Sequence, residues 1–548
     1  MRVKTRAMAA AAVTSLALLA ACGGGAEAPE EPGASQPAGQ AGGEITVYGC
    51  TPQKALIPGN TNESCGTYVV VPMTANLIRY DVENASPIND IAESIETSDN
   101  KLFTVKLKPY KFHDGTEVKA KNFVDAWNYT AYGPNGQGNS YFLGPVAGYD
   151  DTQCPDADCK QAPKAKTMTG LKVVDDKTFT IQTSQPVSNL TQRLGYIAFA
   201  PLPDSFFADP KAYEAKPIGA GPFKLESKTN TEFVLTKWAD YGGDPKPSID
   251  KLTVRVYQDS AAGYADVVAN NLDFVDRLPP DQLVGEAFKD DLPDRWLQRE
   301  SGRFTSVTFS PWDPQMKNIE LRKALSMAID RNLIADKVFN GTVTPATGWV
   351  SPVVTGFKAG ACGEYCTFDA AKAKAAYDAA GGYEGTLTMT YNTDTAGNKA
   401  YSEAICNSIK NAVGADCRAV PTVDFATFQN KLDAKELKGI FRSGWVMDYP
   451  SIENFLTPLY GKGAIGGGGS NYSEHNDPEF EKLLTQAAAA KTTDEANALY
   501  QQAEASLAED LPVAPLWYPK TTVGFSDKVT NVKVDAFEKL DLVSIQAK

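Results

Sequence analysis

The residues best equipped for chemistry lie in one run, Arg442-Ser443-Gly444-Trp445-Val446-Met447-Asp448-Tyr449-Pro450. Arg442 and Asp448 supply opposite fixed charges, Trp445 offers a wide apolar face, and Gly444 lets the backbone approach a ligand closely or adopt φ > 0. A zwitterionic organic molecule suits such a set. A peptide has a cationic amino end and an anionic carboxyl end, and pockets that mix aromatic surface with a few placed charges hold molecules of that kind. The same residues also fit a structural reading, in which Asp448 caps a helix opening near Ser451 and Trp445 is core. Motif chemistry alone leaves both readings open, and Pro450 is expected to stop the element that carries the run.

Other chemistries find little support. Nothing like Gly-x-Ser-x-Gly or His-Glu-x-x-His occurs, and His113 and His475 are the only imidazoles, so a hydrolytic enzyme is not expected. No C-x2-C pair occurs either, which argues against a metal site, and no cofactor is called for. The bend Ile218-Gly219-Ala220-Gly221-Pro222 lacks the spacing and the following helix of a phosphate loop, and Pro222 removes a backbone donor.

The elements that must position the run read as alternating strands and helices. Leu102 to Lys108 alternates with Phe103, Val105 and Leu107 on one face, and Phe123, Ala126, Trp127 and Thr130 recur at helical spacing. Val173-Val174 and Phe179-Thr180-Ile181 flank a tight turn, which predicts a hairpin. Leu321, Ala324, Leu325, Ala328 and Ile329 form a helical stripe, after which Asp330 can cap a second helix. Helical stretches at 370–380, 400–413, 477–490 and 494–508 then alternate with strands such as Leu387-Thr388-Met389-Thr390, a pattern of α/β layering. Gly461 to Ser470, with six glycines, reads as a surface loop.

The N-terminus carries Arg2, Lys4 and Arg6, then a 15-residue apolar run from Ala7 to Ala21 and Cys22. That run is shorter than the ~20 residues a spanning helix needs and reads as a secretory signal. Leu19-Ala20-Ala21-Cys22 resembles the lipobox of bacterial lipoproteins, which implies lipidation of Cys22. Residues 23–43 contain only Gly, Ala, Pro, Glu, Ser and Gln and form a disordered tether. The formal net charge is −14, and loss of the three signal cations takes it to −17, which argues against nucleic acid or an anionic membrane surface as a partner. Eight cysteines remain after Cys22, as close neighbours: Cys50 with Cys65, Cys154 with Cys159, Cys362 with Cys366, and Cys406 with Cys417. In an exported chain these are expected to be four local disulfides.

Several stretches together resemble the family 5 extracellular solute-binding proteins, the peptide-binding receptors of bacterial ABC importers. They are Ile91 to Glu96 with Phe112-His113-Asp114-Gly115-Thr116, then Gly219 to Leu225, Leu321 to Arg331, and Leu511 to Tyr518, together with the Arg-x-Gly-Trp-x-x-Asp-Tyr run itself. The resemblance implies an α/β, two-lobed, three-domain periplasmic-binding-protein-like fold with mixed sheets and a hinge between the lobes. The layout it implies is a signal peptide at 1–21, a tether at 22–43, domain I at 44–79, 200–300 and 515–548, domain II at 80–199, and domain III at 301–514. It assigns the α-ammonium of a peptide to Asp448, a carboxylate to Arg442 and a side-chain pocket to Trp445, with Gly444 and Tyr449 in the same run. Trp517, Tyr518 and Trp349 are further candidates at the cleft. The implied partners are a peptide ligand, ABC permease subunits with their ATPases, and the membrane, reached through a lipid anchor. The protein is expected as a monomer on the outer face of the cytoplasmic membrane. Oligosaccharide, metal chelate or haem as cargo, and a peptide-signal sensor, are the alternatives within the same fold. Because one acyl chain holds only marginally, stable attachment requires the two or more chains of a lipoprotein. Cys22→Ser should therefore move the protein from the membrane fraction to the soluble fraction, and retention after a salt wash would place the anchor elsewhere.

Overall fold

The computed structural model describes residues 42–548 except 157–158, 277, 394–396 and 467–469. The signal, Cys22 and most of the tether therefore lie outside the described residues. The last two tether residues already belong to the fold: the Gly42 amide donates to Ser248 O, and Gly43 O accepts from Asp250 N.

Alternation and helical spacing translate directly into elements. Leu102–Leu107 is a strand with Phe103, Val105 and Leu107 buried, and it pairs with Ala92–Thr97 and Thr178–Gln182. With Leu171–Asp175 across the expected hairpin they form a four-stranded antiparallel sheet. The helix Ala120–Ala131 packs Phe123 against Phe179 and Trp127 against Phe179 and Phe199, at ring separations of 5.3–5.7 Å. Asp330 caps the Arg331–Lys337 helix through the Leu333 amide, as its place in the sequence predicts.

A second, mixed sheet of twelve strands holds most of the rest. Its main path runs Cys417–Thr422, Leu387–Asn392, Ile440–Val446, Arg303–Phe309, Val513–Phe525, Phe274–Val275, Glu44–Gly49, Lys251–Val256, Glu232–Lys237 and Phe223–Lys228. The strand Val513–Phe525 is the longest, at 13 residues. Its first part pairs with Arg303–Phe309 and its second with Trp296–Glu300. Neighbouring chain segments thus cross between the two halves of the sheet at residues 300–303 and 517–520.

Buried side chains gather on either side of that crossing. One group, including Phe304, Leu325, Trp349, Ile405, Phe455 and Trp517, covers the half that holds the Arg442 run. Another, around Ile45, Leu252 and Val523, covers the opposite half, and the group around Trp127 fills the four-stranded sheet and its helices. The four expected cysteine pairs are present as disulfides, Cys50–Cys65, Cys154–Cys159, Cys362–Cys366 and Cys406–Cys417.

Tyr449 joins two of these groups. It follows the strand Ile440–Val446 of the large sheet, yet its ring is buried with the Trp127 group. Its hydroxyl donates to Glu453 Oε2 at 2.7 Å, and the same oxygen accepts from Asn189 Nδ2 at 2.8 Å and Arg193 Nη2 at 3.0 Å. Asn189 also donates to Ser451 Oγ, and the Arg193 guanidinium lies 4.7 Å from the Tyr449 ring centroid. Burial opposes ionisation of Glu453, but Arg193 and the hydrogen bonds hold its carboxyl below the usual glutamate value of 4.5. Removing one partner of such a pair strands a buried charge. Arg193→Ala should cost about 3–5 kcal/mol in denaturant unfolding at neutral pH. A depressed pKa contributes stability that is present above 4.5 and lost as pH falls through the lower folded-state value. The gap between variant and wild type should therefore narrow in acid.

Candidate functional site

The run is split between two structural settings. Arg442 to Val446 belong to the strand Ile440–Val446, and Asp448 to Pro450 lie in the turn that follows it. Pro450 does not end the strand, as its position in the sequence suggests, because pairing already stops at Val446. There the chain leaves Arg303 and the Met447 amide turns to Gly302 O.

One edge of this strand is open where the run lies. All seven residues pair with Arg303–Phe309, but the other edge meets Leu387–Asn392 only at Ile440 and Phe441. From Arg442 to Val446 that edge has no strand partner among the described residues. Gly444 is required by the paired edge, since a Cβ there would lie 2.7 Å from Phe304 O. Its conformation is ordinary extended strand, so the need is for space and not for φ > 0.

The strand's period of two puts Arg442 and Trp445 on opposite faces. Arg442 Nη1 donates to Asn392 Oδ1 at 2.6 Å, and the guanidinium lies 5.7 Å from the ring centroids of both Phe425 and Phe428. Arg442 and Asp448 form no ion pair with each other among the described residues.

Asn454 ties Trp445 to Asp448. Its Oδ1 accepts from Trp445 Nε1 at 3.2 Å and from the Asp448 amide at 2.8 Å, while its Nδ2 donates to Asp448 Oδ2 at 3.1 Å. Asp448 is therefore not a helix cap. The helix Glu453–Tyr460 has no side-chain cap bond, and the polarity is reversed, with the helix's own Asn454 holding the turn before it. Burial pushes the Asp448 carboxyl up to about 6; Glu453 adds to the rise, while Asn454 and Arg193 oppose it.

Tyr80 and Tyr196, packed against the Trp127 group, and the exposed Tyr141 lie near this carboxylate. Asp448 is within electrostatic reach of Tyr80 and Tyr141, and burial first, then Asp448, pushes the Tyr196 hydroxyl above the usual phenol range. Tyr141 is 57% exposed and leans on Phe142, which stacks on Tyr196 at 4.1 Å. The site thus places a partly desolvated carboxylate near phenol side chains, a setting that favours a cationic group.

Beside Trp445 a cavity of ≈ 200 Å³ opens, lined by Phe425, Phe428, Phe441 and Tyr472 among others. Trp349, Trp517 and Tyr518 do not reach this site. Trp349 is fully buried with its Nε1 on Val513 O, Trp517 packs between Phe339 and Tyr401, and Tyr518 donates to Gly348 O. Apolar area won over exposure for these rings, and Trp517 stands one ring behind Arg442, through Tyr401. Tyr449, assigned to the run by sequence, serves the Glu453 network instead. Asn454, Tyr80, Tyr141 and Tyr196 were not found from sequence. Asn454 follows a recognisable helix start, but no spacing rule points the tyrosines at Asp448.

The family model for Bacterial extracellular solute-binding proteins, family 5 Middle, matches residues 86–467. The chain belongs to this family. Family 5 relatives are solute-binding proteins and not enzymes. The oligopeptide-binding protein OppA of Bacillus subtilis is 25% identical over 521 residues, covering 91% of this chain and 92% of that protein. Among solved structures, the unliganded open form of the murein tripeptide-binding protein MppA matches with a TM-score of 0.80 at 22% identity, covering 93% of this chain and 99% of that one. Haemophilus influenzae OppA in complex with RPPGFSPFR matches with a TM-score of 0.69 at 21% identity, covering 93% and 100%. The family 5 fold here is mixed α/β with one large mixed sheet, the fold of these periplasmic binding proteins.

Asn454→Ala would leave the Trp445 indole N–H and the Asp448 amide without their partner. The cost should be about 1–3 kcal/mol in denaturant unfolding, together with a shift in tryptophan fluorescence. A variant matching wild type in both would show that Asn454 does not hold the site.

Proposed function

We propose that this family 5 protein is a receptor that captures peptides by closing its lobes around them and delivers them to the permease of an ABC importer. The carrying observation is Asp448: a desolvated carboxylate with no cation of its own, beside a strand edge free from Arg442 to Val446. An extended peptide can add to such an edge through main-chain hydrogen bonds, with alternate side chains entering pockets. Its α-ammonium would then meet Asp448 and the tyrosines, and Arg442 offers a second, opposite pole for a carboxylate.

The domain division belongs to the same proposal, with domain I at 44–79, 200–300 and 515–548, domain II at 80–199 and domain III at 301–514. The three buried groups and the crossings at 300–303 and 517–520 support it, and these crossings are where hinge bending would be absorbed. Attachment through lipidated Cys22 on the outer face of the cytoplasmic membrane, as a monomer, completes the reading. No helix among the described residues is long and apolar enough to cross a membrane.

Calorimetry with an alanine-rich peptide, its N-acetylated form and the Asp448→Asn variant tests the reading. Acetylation should weaken wild-type binding by more than a hundredfold, since the lost pair leaves a buried charge and costs roughly 3–5 kcal/mol. Asp448→Asn should bind both forms weakly and alike. Without ligand, the same variant should unfold at higher denaturant than wild type at neutral pH, by roughly 1–2 kcal/mol, because a carboxyl with a raised pKa destabilises the folded state once ionised. The binding site needs the ionised carboxylate, which in the empty protein is lost below about 6. Affinity should be constant above about pH 7 and fall by up to tenfold per pH unit below 6. Equal binding of the acetylated peptide would remove the peptide assignment.

A further inference from the structure

The cavity beside Trp445 has an apolar wall and a hydroxyl floor. Phe425, Phe428, Phe441, Trp445 and Tyr472 supply most of the wall, Arg442 lines it as well, and the described lining residues include no carboxylate. The floor is Ser306, Thr308 and Ser443. Strand register places Ser306 opposite Ser443 and Thr308 opposite Phe441, on the face that also carries Trp445. Ser306 Oγ and Ser443 Oγ are 2.7 Å apart, and Thr308 Oγ1 donates to Ser443 Oγ at 2.8 Å. Ser306 and Thr308 are 3% and 2% exposed.

The floor carries one hydroxyl proton more than its own contacts use. Three hydroxyls carry three protons, and the two contacts between them use two. The third stays on Ser306 or Ser443, whichever accepts in their shared bond, and has no acceptor among the described residues. Ser306 is buried and Ser443 half-buried, so an occupant that covers this floor gains by presenting an oxygen to that proton and loses by covering it without one. Size narrows the occupant further. An apolar cavity of ~150 Å³ holds a benzene ring. The ≈ 200 Å³ here takes one six-membered ring and a small polar tip.

We propose that this cavity is a pocket for a phenol: it receives a tyrosine side chain of the bound peptide and recognises its hydroxyl through the Ser306–Ser443–Thr308 cluster. This rests on the peptide reading above. The phenolic oxygen accepts the unpaired proton, and its own O–H turns to the remaining lone pairs of the cluster. Phenylalanine fills the ring space but leaves the hydroxyl proton buried and unpaired. Tryptophan is larger and its indole only donates. With the ammonium at Asp448 and the backbone along the strand edge, only one peptide position faces the cavity.

Titration calorimetry with tetra-alanine, and with Tyr, Phe, Trp or Glu placed in turn at each of its first three positions, tests this. At one position Tyr should bind about fivefold to tenfold tighter than Phe, the gain of one buried hydrogen bond, and Phe tighter than Ala. At the other positions Tyr and Phe should be equal. Ser443→Ala should bring the Tyr to Phe ratio at that position close to one, and the wild-type series decides the matter if this variant does not fold. Ammonium-dependent binding of tetra-alanine with no position favouring Tyr over Phe threefold would overturn the pocket and leave the receptor reading standing. Glu ranking first would also overturn it, in favour of a carboxylate site at Arg442. Failure of every peptide to bind would overturn both.

Discussion

A half-buried carboxylate without a counter-charge of its own is the constraint from which the site follows. Asp448 has a hydrogen bond from Asn454 and a distant share of Arg193, which is already committed to Glu453. Neither offsets desolvation, so the empty protein carries the group in a strained state, with its pKa raised. Sites whose groups are perturbed by burial in this way are where ligands supply the missing interaction. Everything around Asp448 serves to keep it in place: the turn after Val446, the Asn454 clasp, and Tyr449 buried next door.

The two charge networks beside each other behave in opposite ways. Glu453 is saturated, with Arg193, Tyr449 and Asn189 all on one oxygen, and its carboxyl is held low. Asp448, five residues earlier, is under-satisfied and held high. Tyr449 lies between them and belongs to the saturated network, which joins the turn to the buried group around Trp127. Asp448 therefore sits next to the residue that makes the contact between two buried groups.

The strand that carries the site also separates its functions by face and edge. Its paired edge demands Gly444, its free edge leaves main-chain groups available, one face starts the Arg442 side chain toward Asn392, and the other holds the hydroxyl floor and Trp445 beneath a cavity that the Arg442 guanidinium also reaches. Charge, free backbone groups and side-chain surface thus come from five consecutive residues around one cavity.

Much of this was legible in the chain itself. Alternation at Leu102–Leu107, the stripe from Leu321 to Ile329 and the Asp330 cap report local preferences that tertiary packing did not override. Clustered cysteines close loops too short to choose distant partners. The Arg442 to Asp448 run stood out because charge, glycine and tryptophan together serve few purely structural ends. Tertiary structure decided the rest. Burial removed Trp349, Trp517 and Tyr518 from the candidate site, since large rings stabilise a core wherever they can be fully covered. It also brought Tyr80, Tyr141 and Tyr196 to Asp448 from more than two hundred residues away in sequence. No period or motif encodes such a meeting, because it depends on how two separately packed groups of residues come to share a boundary.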